Sequence, residues 1–398
     1  MLCAALLFFG LFPAAASKTP VKDFAEEVRI TFDARKKHSG NVETLLDCSG
    51  FLTKTENGPT ANSSTYTDWM ALAMGRFSVV NSDGKPLFLY KDAQTAYLAG
   101  MDTYITQTYA ENGGMLSKSK VTEAQRCALT VAALGGNPCS IGSFQEKPVN
   151  LIADGSYNCP LNITRQGMMG IVFALISKNA CNVQTPQTVR YTDEFFYTYL
   201  FERELPDGGW ALTGTVPDPD VTAMTLCALA LNRNNPAVFA VKREADGAQV
   251  STTIGAAVER ALNVLSRIQC SNGGFASAGN ETCESSAQVL TALCMCGVDA
   301  ETDARFLKDG NSVLDALYAF RLPDGSFAHV KAGAGKHLDY NTMATDQSAY
   351  ALVALWRFKN DLRGLYDMRP DLSQPLAVLV KAIVHYFLKS LQALSTGT

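Results

Sequence analysis

Asp207-Gly208-Gly209-Trp210, a short loop, and then Pro217-Asp218-Pro219-Asp220-Val221-Thr222-Ala223-Met224-Thr225-Leu226-Cys227-Ala228-Leu229-Ala230 decide the fold. The second half reads as a helix with no charge beyond its first turn. A helix that is apolar all round belongs in an interior. The first half reads as a reversal. A Gly after a helix takes the left-handed cap without a Cβ clash, and a small second residue lets the chain turn tightly. The large side chain that follows can fold back over the helix end.

The same turn returns at Asn112-Gly-Gly-Met115, Asp154-Gly-Ser-Tyr157, Asn272-Gly-Gly-Phe275 and Asp324-Gly-Ser-Phe327. The turns lie roughly 40–65 residues apart, a spacing close to that of helical repeat arrays. A sixth, degenerate unit precedes them, with Asn57-Gly-Pro59 as the turn and Asp68-Trp-Met-Ala-Leu-Ala-Met74 as the apolar helix. Ahead of the turns lie amphipathic stretches at 93–109, 189–204, 254–268 and 312–320, whose charges fall on one side, as for helices facing solvent. Each unit is therefore one outer helix, a Gly-rich turn and one inner helix. Six such units predict an all-α (α/α)6 toroid, and unequal repeat lengths favour this closed ring over an open solenoid. No βαβ alternation is present, and the one strand candidate is a small hairpin within 77–90.

The flanks set the expected boundaries. Residues 1–17 form a short apolar run ending in small residues, the pattern of a signal peptide cleaved near Ala16, though no Lys or Arg precedes it. The expected toroid domain spans 18–398, with repeats over about 41–360 and an amphipathic packing helix over about 373–395. The implied location is secreted or cell-surface, with no transmembrane segment in the mature chain. The chain has 398 residues, 47% hydrophobic residues and a formal net charge of −4. That balance, with no Lys/Arg stripe, argues against a nucleic-acid partner. Of the 11 cysteines, Cys270 with Cys283 and Cys139 with Cys159 flank Gly-rich loops and are candidate bridges. Cys127, Cys227, Cys294 and Cys296 sit in apolar helical runs and read as buried free thiols.

The turn-plus-inner-helix pattern resembles the repeats of the terpenoid cyclase and protein prenyltransferase superfamily, including exported prenyltransferase/squalene-oxidase repeat proteins, from about Asn57 to Leu355. One segment is closer. Asp218-Pro-Asp220-Val-Thr-Ala223 resembles the D-x-D-D-T-A acid motif of class II triterpene cyclases. That resemblance implies Asp220 as a proton donor to an alkene or epoxide, with Asp218 as its neighbour; Val221 stands where the motif has its last Asp. The zinc ligands of the prenyltransferases have no counterpart set, since Gln347 falls nearest the helix-borne His and His38, His329, His337 and His385 are scattered. No metal and no cofactor is expected.

Aligning the inner helices on a shared Ala yields a polar column: Asp68, Gln125, Gln166, Asp220, Glu284 and Asp346. Acidic residues favour helix N-termini through the dipole and unpaired N–H groups. In a ring of parallel inner helices the six would also converge at one mouth. Tyr66, Trp69, Trp210, Phe275, Phe327 and Tyr350 lie nearby, and aromatics beside carboxylates suit a cation, a sugar or an apolar ligand. Trp69 and Tyr350 join the expected ligand-binding set. With Val221 breaking the motif, the sequence favours a non-catalytic binding protein for an unidentified small-molecule, carbohydrate or protein ligand. The alternatives are a class II cyclase-like enzyme using Asp220, and a carbohydrate-active enzyme pairing Asp220 with Glu284 or Asp346.

Overall fold

The structure is a computed structural model that describes residues 24–38, 52–55, 58–61, 65–80, 86–88, 91–331 and 338–369. The expected leader at 1–17 and the expected packing helix at 373–395 lie outside the described residues, as does the side chain of Tyr66.

Twelve α-helices follow one another among the described residues: α1 (Phe24–His38), α2 (Thr65–Arg76), α3 (Lys91–Asn112), α4 (Thr122–Ala133), α5 (Leu151–Gly155), α6 (Gly167–Ala180), α7 (Asp193–Glu202), α8 (Pro219–Ala230), α9 (Ile254–Ile268), α10 (Cys283–Met295), α11 (Val313–Tyr318) and α12 (Thr342–Lys359). The even-numbered helices are the inner ones. All of α10 is buried from Cys283 to Met295, as a helix apolar all round requires. The odd-numbered helices are amphipathic where long enough to show it. In α9, Ile254, Ala257, Val258, Ala261, Leu262, Val264 and Leu265 are buried, while Glu259 and Asn263 are exposed.

The inner helices touch in a cycle. α2 packs on α4, α4 on α6, α6 on α8, α8 on α10, α10 on α12, and α12 returns to α2. Each outer helix leans on the preceding inner helix: α5 on α4, α7 on α6, α9 on α8, α11 on α10, and α1 on α12. Helix α1 lies ahead of the expected start of the repeats near 41 and supplies the outer layer at the joint between the last and first units. Among the described residues, strands are confined to five short antiparallel hairpins, one of them pairing Ser78–Val80 with Pro86–Phe88, where the sequence placed its hairpin.

Three of the turns share one hydrogen-bond pattern. In each, the N–H of the first Gly donates to the carbonyl three residues back: Gly208 to Leu205 (2.9 Å), Gly273 to Cys270 (2.9 Å), Gly325 to Leu322 (3.0 Å). The carbonyl of the next residue, Gly209, Gly274 or Ser326, then accepts from the N–H at the start of the turn. The first glycines hold φ of 90°, 83° and 91°, the left-handed region expected for that position. The Asp154 turn departs from this: Gly155 ends the five-residue α5 without a positive φ, and a Cβ at this position would sit 3.1 Å from Gln125 Cγ.

Neither candidate disulfide forms. Cys139, Cys159, Cys270 and Cys283 are free thiols. Cys283 is buried at the start of α10 with its Sγ 3.1 Å from Ser348 Oγ, whereas Cys270 lies in the turn after α9. Flanking the same loop in sequence did not place the two thiols together. Cys127, Cys227, Cys294 and Cys296 are buried, as read from their apolar runs.

Candidate functional site

Helix α8 begins at Asp218-Pro219-Asp220. Asp218 is the N-cap: its Oδ1 accepts from the N–H groups of Asp220 and Val221, both at 3.0 Å, and Pro219 occupies the first helical turn without a wasted donor. Its Oδ2 accepts from Ser277 Oγ at 2.5 Å. Asp218 is thus fixed as a cap and as a neighbouring charge. Asp220, in the first turn, is held differently. Ser285 of α10 donates its hydroxyl to the carboxyl, while Oδ1 is shut off from solvent and accepts nothing. Burial pushes the Asp220 carboxyl up to about 6; the Ser285 hydrogen bond pulls the other way, and the charges of Asp218 and Glu284 add to the rise. Glu284 is nearly buried, with His329 Nδ1 2.8 Å from its Oε2.

Pairs between non-neighbouring inner helices mark the interior of the ring. Trp69 of α2 lies 5.8 Å, ring centre to ring centre, from Phe173 of α6. Tyr350 of α12 is 6.0 Å from Trp69 and close enough to Asp220 of α8 to feel its charge. Gln288 of α10 donates to the Tyr350 hydroxyl at 2.6 Å and to Gln347 Oε1 at 3.1 Å. Side chains on a helix lean toward its N-terminus, so Tyr350, deep in α12, reaches up toward the layer of Asp220 and Glu284. Met169 and Phe173, and Asp220 and Met224, are partly exposed at four-residue spacing on helices that are otherwise almost wholly buried. The carboxyls of Asp220 and Glu284, the Gln288 amide and the rings of Tyr350, Trp69 and Phe173 thus lie in succession across the inner helices.

The C-terminal end of the ring is crossed by the chain. The Arg76 guanidinium donates to the carbonyls of Gly364 (2.9 Å) and Asp367 (2.8 Å). The Tyr366 N–H meets Met295 Sδ at 3.4 Å, and the Met368 N–H donates to the Ala180 carbonyl at 2.9 Å. Arg76, Met295 and Ala180 end three different inner helices. Tyr366 is buried within range of Tyr350 and Cys227. The stretch 363–368 thus floors the ring beneath the aromatic layer.

Of the residues singled out in the sequence, the structure brings Asp218, Asp220, Glu284, Trp69 and Tyr350 together. It sends the others elsewhere. Asp68 is buried, bonded to Tyr97 of α3 and 2.7 Å from Arg126 Nε. Gln125 donates to the carbonyls of Gly155 and Gly170, both at 2.8 Å. Gln166 accepts from Thr122 N–H at 3.1 Å. Asp346 is buried with its Oδ1 2.6 Å from Arg35 Nε of α1, and burial, outweighing Arg35, pushes its carboxyl up to about 7. Asp68, Gln125 and Asp346 hold the inner helices to their outer partners. The six-membered polar column is corrected accordingly.

The reason is register. Counted from the N-cap, Asp220 and Glu284 both stand two residues in, after Asp218 and Thr282, whereas Asp346 stands five in, after Asn341. Three residues on a helix turn a side chain by 300°, about 60° off the original face and most of a turn deeper. Alignment on Ala hid that offset; alignment on the caps reveals it and finds Met224 and Gln288 as equivalents one turn on. Trp210, Phe275 and Phe327 are fully buried turn residues, with Trp210 and Phe327 N–H donating to Thr222 and Thr345 Oγ1, both at 3.0 Å. Phe173, Met169 and Ser285 escaped the sequence reading because apolar and small residues on a buried helix carry no chemical signature.

No protein-family profile matches the chain, and no curated protein matches it. Solved structures do. The type II terpene cyclase MstE from Scytonema, in its apo form, matches with a TM-score of 0.45 at 14% identity, over 84% of this chain and 99% of that one. A variant of the same cyclase in complex with geranylgeranyl dihydroxybenzoate as substrate matches with a TM-score of 0.44 at 12% identity, over 83% and 97%. A protein from Actinoplanes matches with a TM-score of 0.45 at 14% identity, over 85% and 100%.

Proposed function

We propose that the chain is an (α/α)6 toroid that takes an apolar, alkene-bearing substrate into the ring and protonates it from Asp220, as a class II terpenoid cyclase-like enzyme. The observation that carries this reading is the Asp220 carboxyl: buried Oδ1 without a partner, acidity weakened to about 6, at the edge of an aromatic lining. A carboxyl that keeps its proton near neutrality can donate it. In the step, the O–H bond of Asp220 breaks and a C–H bond forms on the alkene, leaving a carboxylate and a carbocation. Ring closure by a further double bond moves the positive charge, and loss of a proton from carbon ends the sequence with no net change in atoms. Trp69, Phe173 and Tyr350 present π faces that stabilise the travelling cation. The Ser285 hydroxyl holds the carboxyl, and Asp218, fixed as a cap, disfavours its ionisation. No cofactor is required.

Val221 supports a second reading, a toroid that binds such a ligand without turnover. It is an apolar residue, 2% exposed, where the resembled motif places its last carboxyl. One experiment separates the two. The protein is incubated with squalene, 2,3-oxidosqualene and geranylgeranyl diphosphate in D2O, and products are analysed by gas chromatography and mass spectrometry. The catalytic reading expects a cyclised product carrying deuterium delivered by the exchanged Asp220 carboxyl, reduced at least a hundredfold in Asp220→Asn. Thermal stabilisation by these compounds with no product leaves the binding reading. Product formation equal in Asp220→Asn would sink the proton-donor assignment. Export through residues 1–17 remains part of the proposal, tested by N-terminal sequencing of the protein released by its host.

A further inference from the structure

A second concavity lies at the other end of the inner helices from Asp220. It is a cleft of about 710 Å³ between the C-terminal end of α6, helix α7, the turn after α8 and the strand Val238–Lys242. Its size falls within the range of about 300–1,000 Å³ common to small-molecule sites. What sets it apart is its chemistry. Asn179, Asn182, Asn232 and Asn235 line it, with Tyr197 and Phe239 as its aromatic members.

The charges in the cleft are largely spent within the protein. Lys178 Nζ sits 2.9 and 3.1 Å from the two carboxylate oxygens of Asp193, which also accepts from Thr185 Oγ1 at 2.6 Å. Arg369 is held by Asp367 through Nε at 2.7 Å and Nη2 at 2.5 Å. The remaining charge is Glu194, exposed at the rim, which repels anions. The neutral groups are only partly spent: Asn235 Oδ1 accepts from the Ala237 N–H at 2.9 Å, and Asn179 Nδ2 donates to the Ala228 carbonyl at 3.4 Å. The buried Tyr197 hydroxyl accepts from Asn232 Nδ2 at 2.7 Å and Asn179 Nδ2 at 3.4 Å, while its own proton has no acceptor among the described residues. The side-chain carbonyls of Asn179 and Asn232 accept nothing from the described residues, and the Asn182 amide makes no side-chain hydrogen bond there. The Phe239 ring, partly exposed, stands 5.5 Å from Tyr197 and 5.2 Å from Phe201, which fixes it in place.

We propose that this cleft is a binding site for a neutral polyhydroxylated ligand, a saccharide or polyol, distinct from the Asp220 site. A sugar hydroxyl both donates and accepts, and so does each asparagine amide, whereas the Tyr197 hydroxyl here offers only a donor. The C–H face of a pyranose is apolar and suits an aromatic ring such as Phe239. A buried donor with no partner costs free energy unless a ligand satisfies it. Phosphorylated or carboxylated sugars meet Glu194 and find no unpaired cation in the cleft.

The test is saturation-transfer NMR on the full chain with maltotriose, cellotriose, chitotriose, mannotriose and glycerol, and with glucose 6-phosphate as the anionic control. Transfer to at least one neutral probe, weaker or absent for glucose 6-phosphate, is expected. It should fall at least fivefold in Asn182→Gly, which keeps the left-handed φ of 53°, and in Asn232→Ala, with far-UV circular dichroism unchanged. Asp220→Asn should bind like the unaltered chain. No transfer to any neutral probe overturns the proposal. So does transfer that survives both asparagine variants, or that vanishes in Asp220→Asn, since the sugar would then occupy the ring.

Discussion

Asp220 retains its proton to about pH 6, against an ordinary value of 3.8, chiefly because it is buried. The unfolded chain therefore releases this proton first as pH rises, and between roughly pH 4 and pH 6 the folded state binds more protons. Stability contributed by the group falls across that window and stays low above it. Two pKa units amount to about 3 kcal/mol as an upper figure. Asp220→Asn removes an ionisable group whose ionised form is poorly solvated, so it should unfold at higher urea than the unaltered chain at pH 8, by about 1–3 kcal/mol, with the difference vanishing near pH 4. Equal urea midpoints at both pH values would contradict the burial of this carboxyl. Asp220 stood out in the sequence because Asp218-Pro-Asp220-Val-Thr-Ala223, at the start of an uncharged helix, resembles the acid motif of class II triterpene cyclases. Asp346, equally acidic on paper, is not part of the lining: its side-chain direction depends on a helix register that only the Asn341 cap reveals, and its partner Arg35 is remote in sequence.

At the scale of elements, the glycine turns and inner helices could be read because their signals are local. Left-handed caps demand Gly, and burial on all sides demands Ala, Leu and Cys without charge. Helices α1 and α5 were not legible. α5 has five residues, too few for any periodicity, and α1 precedes the first turn and is recognisable as an outer helix only through its contact with α12. The turns make a sharp prediction. A Cβ on Gly273 would sit 2.2 Å from the Ser312 carbonyl oxygen at a φ of +83°, whereas one on Gly113, at +72°, meets nothing within 4 Å. Gly273→Ala should therefore cost about 3 kcal/mol, from strain plus displacement of the start of α11, and Gly113→Ala about 1 kcal/mol, from φ alone. Chemical denaturation of the two variants side by side checks this. Similar losses for both would mean that the close approach of the α9 turn to α11 is not a fixed contact.

For the whole molecule, closure decides whether there is an inside at all. A linear array exposes the flanks of its first and last inner helices, while here α12 returns to α2 and the chain after α12 crosses beneath. The closing joint has buried polar contacts of its own. Arg357, 1% exposed, donates through Nη1 to the Arg76 carbonyl at 2.7 Å and through Nε to the Arg363 carbonyl at 2.6 Å. Arg76 in turn grips Gly364 and Asp367. Two guanidinium groups thus satisfy the carbonyls at the end of α2 and along the floor, groups whose burial without a partner costs about 1–3 kcal/mol each. This joint was invisible in sequence, since an Arg at a helix end usually only meets the dipole. Arg357→Met keeps the apolar stem but removes the donors to the Arg76 and Arg363 carbonyls. The expected result is a loss of about 2–4 kcal/mol with hydrogen exchange accelerated first in α2, α12 and 363–368, while α8 and α10 keep their protection. If the ring unfolds as one unit, the accelerated exchange will spread to all six inner helices at the same denaturant concentration. If it behaves as an array of neighbour-coupled pairs, protection will be lost progressively away from the α12–α2 joint. Under the first outcome the surroundings of Asp220 are only as durable as the joint on their far side, and the turnover proposed for Asp220 should fail in Arg357→Met even though none of the residues proposed to meet the substrate has changed.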